Sequence, residues 1–390
     1  MRPKDSPRPK PAPPASLRRR TGIVKDPRYA EHCMGPGEPE CPERLDVLYP
    51  LLDEPELADA VTIITPRPAK NAELETVHAA RYIRRLEATA GGTPTYLDED
   101  TRTAPGSHDA ALLAAGGLCR AIKAVHTGQV DNAFAWVRPP GHHAERAASG
   151  GFCLYNNIAI GTRFAQNRLK LARILVVDFD LHHGNGTQHC FEDDPSVLFF
   201  STHRAFTYPH TGRVKEIGKG PGRGFTINTP LLSGAGDGDF LALFERLLRP
   251  VAMAFKPDLV LVSAGFDIHT QDPLGGMRVT PDGFAAMTRI LMEVADACCQ
   301  GRLVLALEGG YDLDALRASV REVLREMTGR RRTDIRPMLA AADQKRVDYI
   351  CWRVSEAHRK YWPCLNGQPV PTVRARLKGM LARWAAYFKS

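Results

Sequence analysis

The run Ile174-Leu175-Val176-Val177 ends in Asp178, Asp180 and His182, spaced two residues apart. In an extended chain alternate side chains share a face, so these three can converge on one point. Two carboxylates and an imidazole converging where a strand ends are donors suited to a hydrolytic metal site. A single Asp or His there would read as a polar loop capping a buried strand. The alternating set, directly after an apolar run, favours the metal.

The same grammar recurs along the chain. Ala133–Val137 reads as a buried strand and runs into Arg138-Pro139-Pro140-Gly141-His142-His143. The prolines stop the strand and stiffen the loop, and Gly141 admits close backbone approach. Paired histidines are commonly surface residues; after a buried strand, His142 and His143 can act as a general acid and base pair around the metal. Val197–Phe200 runs into Ser201-Thr202-His203, Leu259–Val262 into Ser263-Ala264-Gly265-Phe266-Asp267, and Leu303–Leu307 into Glu308-Gly309-Gly310-Tyr311. Short, continuously apolar runs suit strands covered on both faces of a parallel sheet. Sites in such sheets gather beyond the carboxyl ends of the strands. The expectation is an α/β fold, a central parallel sheet with helices on both faces, with one site built from five strand ends.

Five blocks in order carry a resemblance: Pro139-Pro140-Gly141-His142-His143, Gly151-Phe152-Cys153, Asp178 through Gly186, Ser263 through Asp267, and Glu308 through Tyr311. Together they resemble the zinc-dependent histone deacetylase family, which includes bacterial histone deacetylase-like amidohydrolases and acylpolyamine amidohydrolases and has the arginase–deacetylase fold. The resemblance spans about Gly22 to Gly329. It implies one zinc per chain on Asp180, His182 and Asp267, leaving positions open for water and substrate. His143 is implied as the base and His142 as its electrostatic partner or acid. Asp178 would orient His142, and Asn185 would partner His143. Asn in His-His-Gly-Asn-Gly is similar to the class II branch. Tyr311 would donate to the oxyanion.

Substrate contacts follow the same resemblance. Phe152 and Tyr208 would flank a narrow tunnel, with Tyr208 departing from the more usual Phe. Gly151 would let the substrate stem pass, and Asp100 would sit in the rim loop. Arg44 would line an exit for acetate. Asp178, the backbone oxygens of Asp180 and His182, and Ser201 resemble a monovalent cation site, for potassium. Leu274 follows Asp272-Pro273, where polyamine-specific relatives carry a gatekeeper glutamate. Leu274 thus points to acyl-lysine of a protein or peptide rather than acylpolyamine. Glu38 stands where relatives often show His, which touches rim specificity and not the chemistry.

Charge is segregated. The first 20 residues carry a net +6 and residues 330–390 a net +10, which leaves −8 on the body out of a chain total of +8. Basic tails could touch nucleic acid, but no aromatic or Gly-rich nucleic-acid motif accompanies them, so solvated tails are the preferred reading. An acidic body favours a cationic substrate. No run approaches a membrane span, and no secretory core is seen near the N-terminus, so a cytoplasmic protein is expected. Nine cysteines without a CxxC spacing fit reduced thiols.

Residues 1–20 read as a disordered basic, Pro-rich arm, 21–329 as the catalytic domain, and 330–390 as a basic helical extension. Helices are expected at Leu45–Leu52, Thr76–Ala90, His108–Thr127, Asn156–Arg168, Phe240–Phe255, Asp282–Cys299, Leu313–Met327, Val347–Tyr361 and Val373–Phe388. Gly22–Arg44 reads as irregular loop. Trp352, Trp362, Trp384 and Phe388 would pack on the body or form a homo-oligomer contact. Alternatives to a lysine deacetylase are an acylpolyamine amidohydrolase, a dinuclear manganese ureohydrolase and a non-enzymatic acyl-lysine binding module.

Overall fold

The computed structural model describes residues 18–369. The basic arm up to residue 17, the helix expected at Val373–Phe388, Trp384 and Phe388 lie outside the described residues.

Among the described residues ten strands form in chain order: β1 (Thr21–Val24), β2 (Val61–Ile64), β3 (Thr95–Tyr96), β4 (Arg102–Thr103), β5 (Asn132–Ala135), β6 (Ile174–Asp178), β7 (Val197–Arg204), β8 (Thr226–Leu231), β9 (Leu259–Ala264) and β10 (Leu303–Leu307). Eight of them make one sheet in the order β2-β1-β5-β10-β9-β6-β7-β8, and every pairing is parallel. β3 and β4 form a separate antiparallel ribbon. All five residues of β6 and of β10 are buried. Strands covered on both faces by helices lose the polar alternation of a solvated sheet, which is why their sequences read as unbroken apolar runs. Each fully buried Val, Leu or Ile contributes roughly 1.5–3 kcal/mol.

The strand order explains the site. β5, β10, β9, β6 and β7 are consecutive across the sheet although far apart in sequence. The register sets Asp178 at the end of β6 opposite both Ser263 on β9 and Ser201 on β7. The five polar clusters therefore leave one edge side by side, with strand spacing of about 4.8 Å.

Four expectations need correction. Gly22–Arg44 is not all loop: β1 lies inside the sheet, paired to β2 and β5, and short helical turns follow at Pro27–Glu31 and Glu43–Asp46. Four residues including a glycine carry too little period to announce a strand. The helix expected at Leu45–Leu52 is split, with a 3-10 turn at Tyr49–Asp53 around Pro50, whose ring cannot continue an α-helix. The helix expected at Thr76–Ala90 runs only over Ala80–Glu87, after a separate helical turn at Asn71–Leu74. His78 sits in the break, its Nδ1 donating to Glu145 O and its Nε2 accepting from the Asn156 N–H, both at 2.9 Å. The helix expected at Phe240–Phe255 starts at Asp237 and contains a π-helical turn at Phe244–Leu248.

The described part of the segment after Gly329, residues 330–369, packs on the body. Helix Gln344–His358 buries Val347, Ile350, Cys351 and Val354. Trp362 is buried against Phe225 and Phe255, and its Nε1 donates to Gly224 O at 2.7 Å. No helix of the described residues is long and apolar enough to cross a membrane.

Candidate active site

Asp180 and His182 leave β6, and Asp267 leaves β9 beside it; the donor atoms of the three lie within 4.8 Å of one another. His182 Nδ1 is 3.2 Å from both Asp180 Oδ1 and Asp267 Oδ2. The backbone is shaped to the cluster. A Cβ on Gly309, in the loop after β10, would meet the Asp267 and Asp180 carboxylates, and the Gly309 N–H donates to Asp180 Oδ2 at 2.8 Å. Leu181 N–H donates to Asp267 Oδ1 at 2.9 Å.

The donor set fits a divalent metal. Burial and the facing Asp180 carboxylate push Asp267 up to about 8, a conflict between like charges that a dication between them relieves. Asp180 goes the other way: burial opposes ionisation, but His142 and His182 outweigh it and hold the carboxyl below its usual range. His182 is held at about 9 by Asp180 and Asp267 against its burial.

The two loop histidines differ. His142 Nδ1 donates to Asp178 Oδ2 at 3.0 Å. Burial disfavours its cation, yet Asp180, Asp178 and Glu308 prevail and raise it to about 10. His143 Nδ1 lies 2.7 Å from Asn185 Oδ1. Burial and the positive neighbours His142 and His182 push His143 well below its ordinary value. The ring centroids are only 4.0 Å apart, so a charge on one imidazole opposes a charge on the other. Such opposition favours the division that a general acid and base pair requires.

Tyr311 is partly buried, its ring edge-on to Phe152 at 5.9 Å and beneath the Arg44 guanidinium at 5.1 Å. Burial and the Asp267 charge push its phenol well up, so it stays a proton donor. Phe152 holds a φ of 69°, a conformation costly for a non-glycine residue and characteristic of sites where geometry is imposed. Gly151 has φ 53°, and a Cβ there would strike the His143 ring. Tyr208 stands edge-on to His143 at 4.9 Å and is 36% exposed. Asp100 Oδ1 accepts from the Gly151 N–H at 3.1 Å, which ties Asp100 to the backbone beside Phe152. Leu274, 39% exposed, connects to the site through Asp272, which accepts its N–H at 3.0 Å. Asp178 and Ser201 are neighbours in register; Asp178 Oδ1 accepts from the Asp180 N–H, and Ser201 Oγ is 2.9 Å from His203 Nδ1.

Apart from Arg44, sequence reasoning missed a buried charged layer behind these residues. Glu308 accepts from the N–H groups of Gly141 and His142 and from Ser263 Oγ, at 2.7, 3.2 and 3.0 Å. Burial raises it to about 7. Arg44 is fully buried and donates to Gly310 O at 2.7 Å and Glu308 O at 2.5 Å. Glu40 binds Arg138 through both oxygens, at 2.5 and 2.6 Å, and Arg44 at 3.2 Å. Arg138 and Glu308 each follow an apolar run, and charged residues are almost never fully buried unless paired. That was the available signal.

The strand order, with this cluster at its carboxyl edge, defines the arginase–deacetylase fold. The crystal structure of the HDA15 HD domain superposes with a TM-score of 0.82 at 35% identity, covering 88% of this chain and 96% of that one. Residues 38–327 match the Histone deacetylase domain, and the chain belongs to the histone deacetylase family. A probable deacetylase of Archaeoglobus fulgidus is 38% identical over 89% of this chain and 99% of its own length. Histone deacetylase 5 of Arabidopsis thaliana is 38% identical over 89% of this chain, and Polyamine deacetylase HDAC10 of Homo sapiens 39% over 86%. The chain spans about half the length of these last two, 54% and 52%.

Proposed function

We propose that the chain hydrolyses the side-chain amide of N6-acetyl-lysine in proteins or peptides and releases acetate. The observation that carries the reading is the adjacent pair His142 and His143, each held on its own partner, Asp178 and Asn185, beside the donor cluster of Asp180, His182 and Asp267. Zinc held by those three would lower the pKa of a water and polarise the acyl carbonyl. His143, neutral, takes the proton of the attacking water. His142, held cationic by Asp178 and Asp180, stabilises the charge that develops and can supply the proton to the leaving amine. Tyr311 donates its phenol proton in a hydrogen bond to the developing oxyanion. Phe152 and Tyr208 grip the aliphatic stem and exclude water. The same reading includes a structural potassium ion at Asp178, the carbonyl oxygens of Asp180 and His182, and Ser201.

Acylpolyamine is the second reading, favoured by the polyamine deacetylase among the relatives. Leu274 speaks against it, since an exposed aliphatic side chain offers no charge to a second ammonium. Turnover of an acetyl-lysine peptide beside acetylspermidine by zinc-reconstituted protein decides between them, with Tyr311→Phe as control. Peptide turnover that collapses in the variant supports the proposal. Turnover of acetylspermidine alone moves the assignment to polyamines, and turnover of neither points to another acyl group or to a binding module.

A further inference from the structure

His143 can serve as a base only in one tautomer. If the ring proton sits on Nδ1, Nε2 presents a lone pair; if it sits on Nε2, that nitrogen is already occupied. Asn185 faces Nδ1 at 2.7 Å, but an amide can turn either end toward it. Its oxygen would demand a proton on Nδ1, and its NH2 would demand a lone pair there. Asn185 by itself therefore leaves the tautomer open.

Glu145 closes the choice. Its Oε1 accepts from Asn185 Nδ2 at 2.6 Å. An ionised carboxylate accepts and cannot donate, so the amide must turn its NH2 toward Glu145 and its oxygen toward His143. Glu145 is itself held in place. Its N–H donates to Ala148 O at 2.9 Å, and its carbonyl accepts from His78 Nδ1 at 2.9 Å. Its Oε1 also meets His189 Nδ1 at 2.8 Å. Asn185 and His189 are one turn apart on helix Asn185–Phe191, a spacing that aims both side chains at one oxygen.

We infer that Glu145 is a positioning residue for the reaction, fixing the His143 tautomer through the Asn185 amide. The inference rests on the deacylase reading for its effect on rate, but the tautomer itself is a property of the chain. Glu145 reaches no substrate; it acts through an uncharged relay and lends His143 the orientation that a carboxylate partner would give directly.

The test is a double-mutant cycle of Glu145→Gln and Asn185→Asp. Gln can donate or accept, so Glu145→Gln lets the amide turn. Asp at 185 can only accept from His143, which makes Glu145 unnecessary and its negative charge adverse. We expect Glu145→Gln to lower kcat about 10- to 100-fold on acetyl-lysine peptide, the usual range for a residue orienting a site group. KM should stay within about twofold. In the Asn185→Asp background the same change should leave kcat unchanged or raise it. Nitrogen-15 spectra, with His143 assigned by its loss in His143→Ala, read the tautomer before and after zinc loading. They should show Nδ1–H alone in the wild type and a mixture in Glu145→Gln. Glu145→Ala and the thermal midpoints separate this effect from misfolding. A single Nδ1–H tautomer in Glu145→Gln, or an equal loss of kcat in both backgrounds, overturns the inference. Absence of turnover in the wild type would instead sink the deacylase reading, and the spectra would still decide the role of Glu145.

Discussion

Asp272 accepts a hydrogen bond from the backbone N–H of Tyr311 at 2.7 Å, tying the loop after β9 to the loop after β10. The same carboxylate takes the N–H of Leu274 through its other oxygen. One buried acid thus joins the proposed oxyanion donor to the rim residue that bears on substrate choice.

Replacing Asp272 by Ala should lower kcat about 10-fold by freeing the Tyr311 backbone, as loss of an orienting partner does. Asp272→Asn keeps an acceptor and should lose less. Tyr311→Phe, which removes the donor itself, should cost about 10² to 10³ in kcat. Steady-state kinetics on one acetyl-lysine peptide would rank the three; wild-type kcat in Asp272→Ala would refute the positioning role.

Asp180→Ala or Asp267→Ala should abolish stoichiometric zinc binding, read by elemental analysis after dialysis. Chelation of the wild type should abolish turnover and zinc should restore it, because three donors are the minimum for a catalytic site. Because each variant also removes one of two facing buried carboxylates, the metal-free Asp267→Ala protein should not be less stable than metal-free wild type. Full activity after exhaustive chelation would rule out the metal.

Stability should fall in mild acid through buried histidines. Burial lowers His78 and His358 to about 4. Below about pH 6.5 the unfolded chain takes up a proton on each that the folded chain refuses until about pH 4. The contribution is fully present above 6.5 and is lost as pH falls through that window, at about 1.4 kcal/mol per pH unit for each histidine. Glu308, raised to about 7, has the opposite slope, so the comparison must be with a variant. Urea midpoints of His358→Phe between pH 4.5 and 7.5 should show a flatter fall on acidification than wild type; parallel curves would contradict the assignment.

Leu274→Glu should raise kcat/KM for acetylspermidine relative to acetyl-lysine peptide, since a rim carboxylate would meet the second ammonium. An exposed pair is worth up to about 1 kcal/mol, so the expected shift is about fivefold, and greater if the substrate desolvates it. An unchanged ratio would show that the rim at 274 does not select the substrate.

Much of the site was readable because its chemistry sits at fixed short spacing after apolar runs. Asp180 and His182 just past β6, the adjacent histidines after Val137, and Asp267 and Tyr311 after their strands are local facts; the expected convergence of Asp178 with them is not met, because β6 ends at Asp178 and its carboxylate turns to His142. β1 was not readable, because its four residues gain their strand geometry from partners on both sides.

The sequence by itself determined which residues can do chemistry here and that they lie at the ends of buried parallel strands. Only the tertiary structure decided that β10 and β9 insert between β5 and β6, so that clusters more than a hundred residues apart share one edge. It also decided which lone charges meet: Glu40 with Arg138, Arg44 with Glu308 O and Gly310 O, Asp272 with Tyr311, Glu145 with Asn185. The physical reason is the range of the information. Periodicity reports which face of an element is buried, whereas a single charged side chain in a loop has no period, and its partner is fixed by crossover connections that close over tens to hundreds of residues.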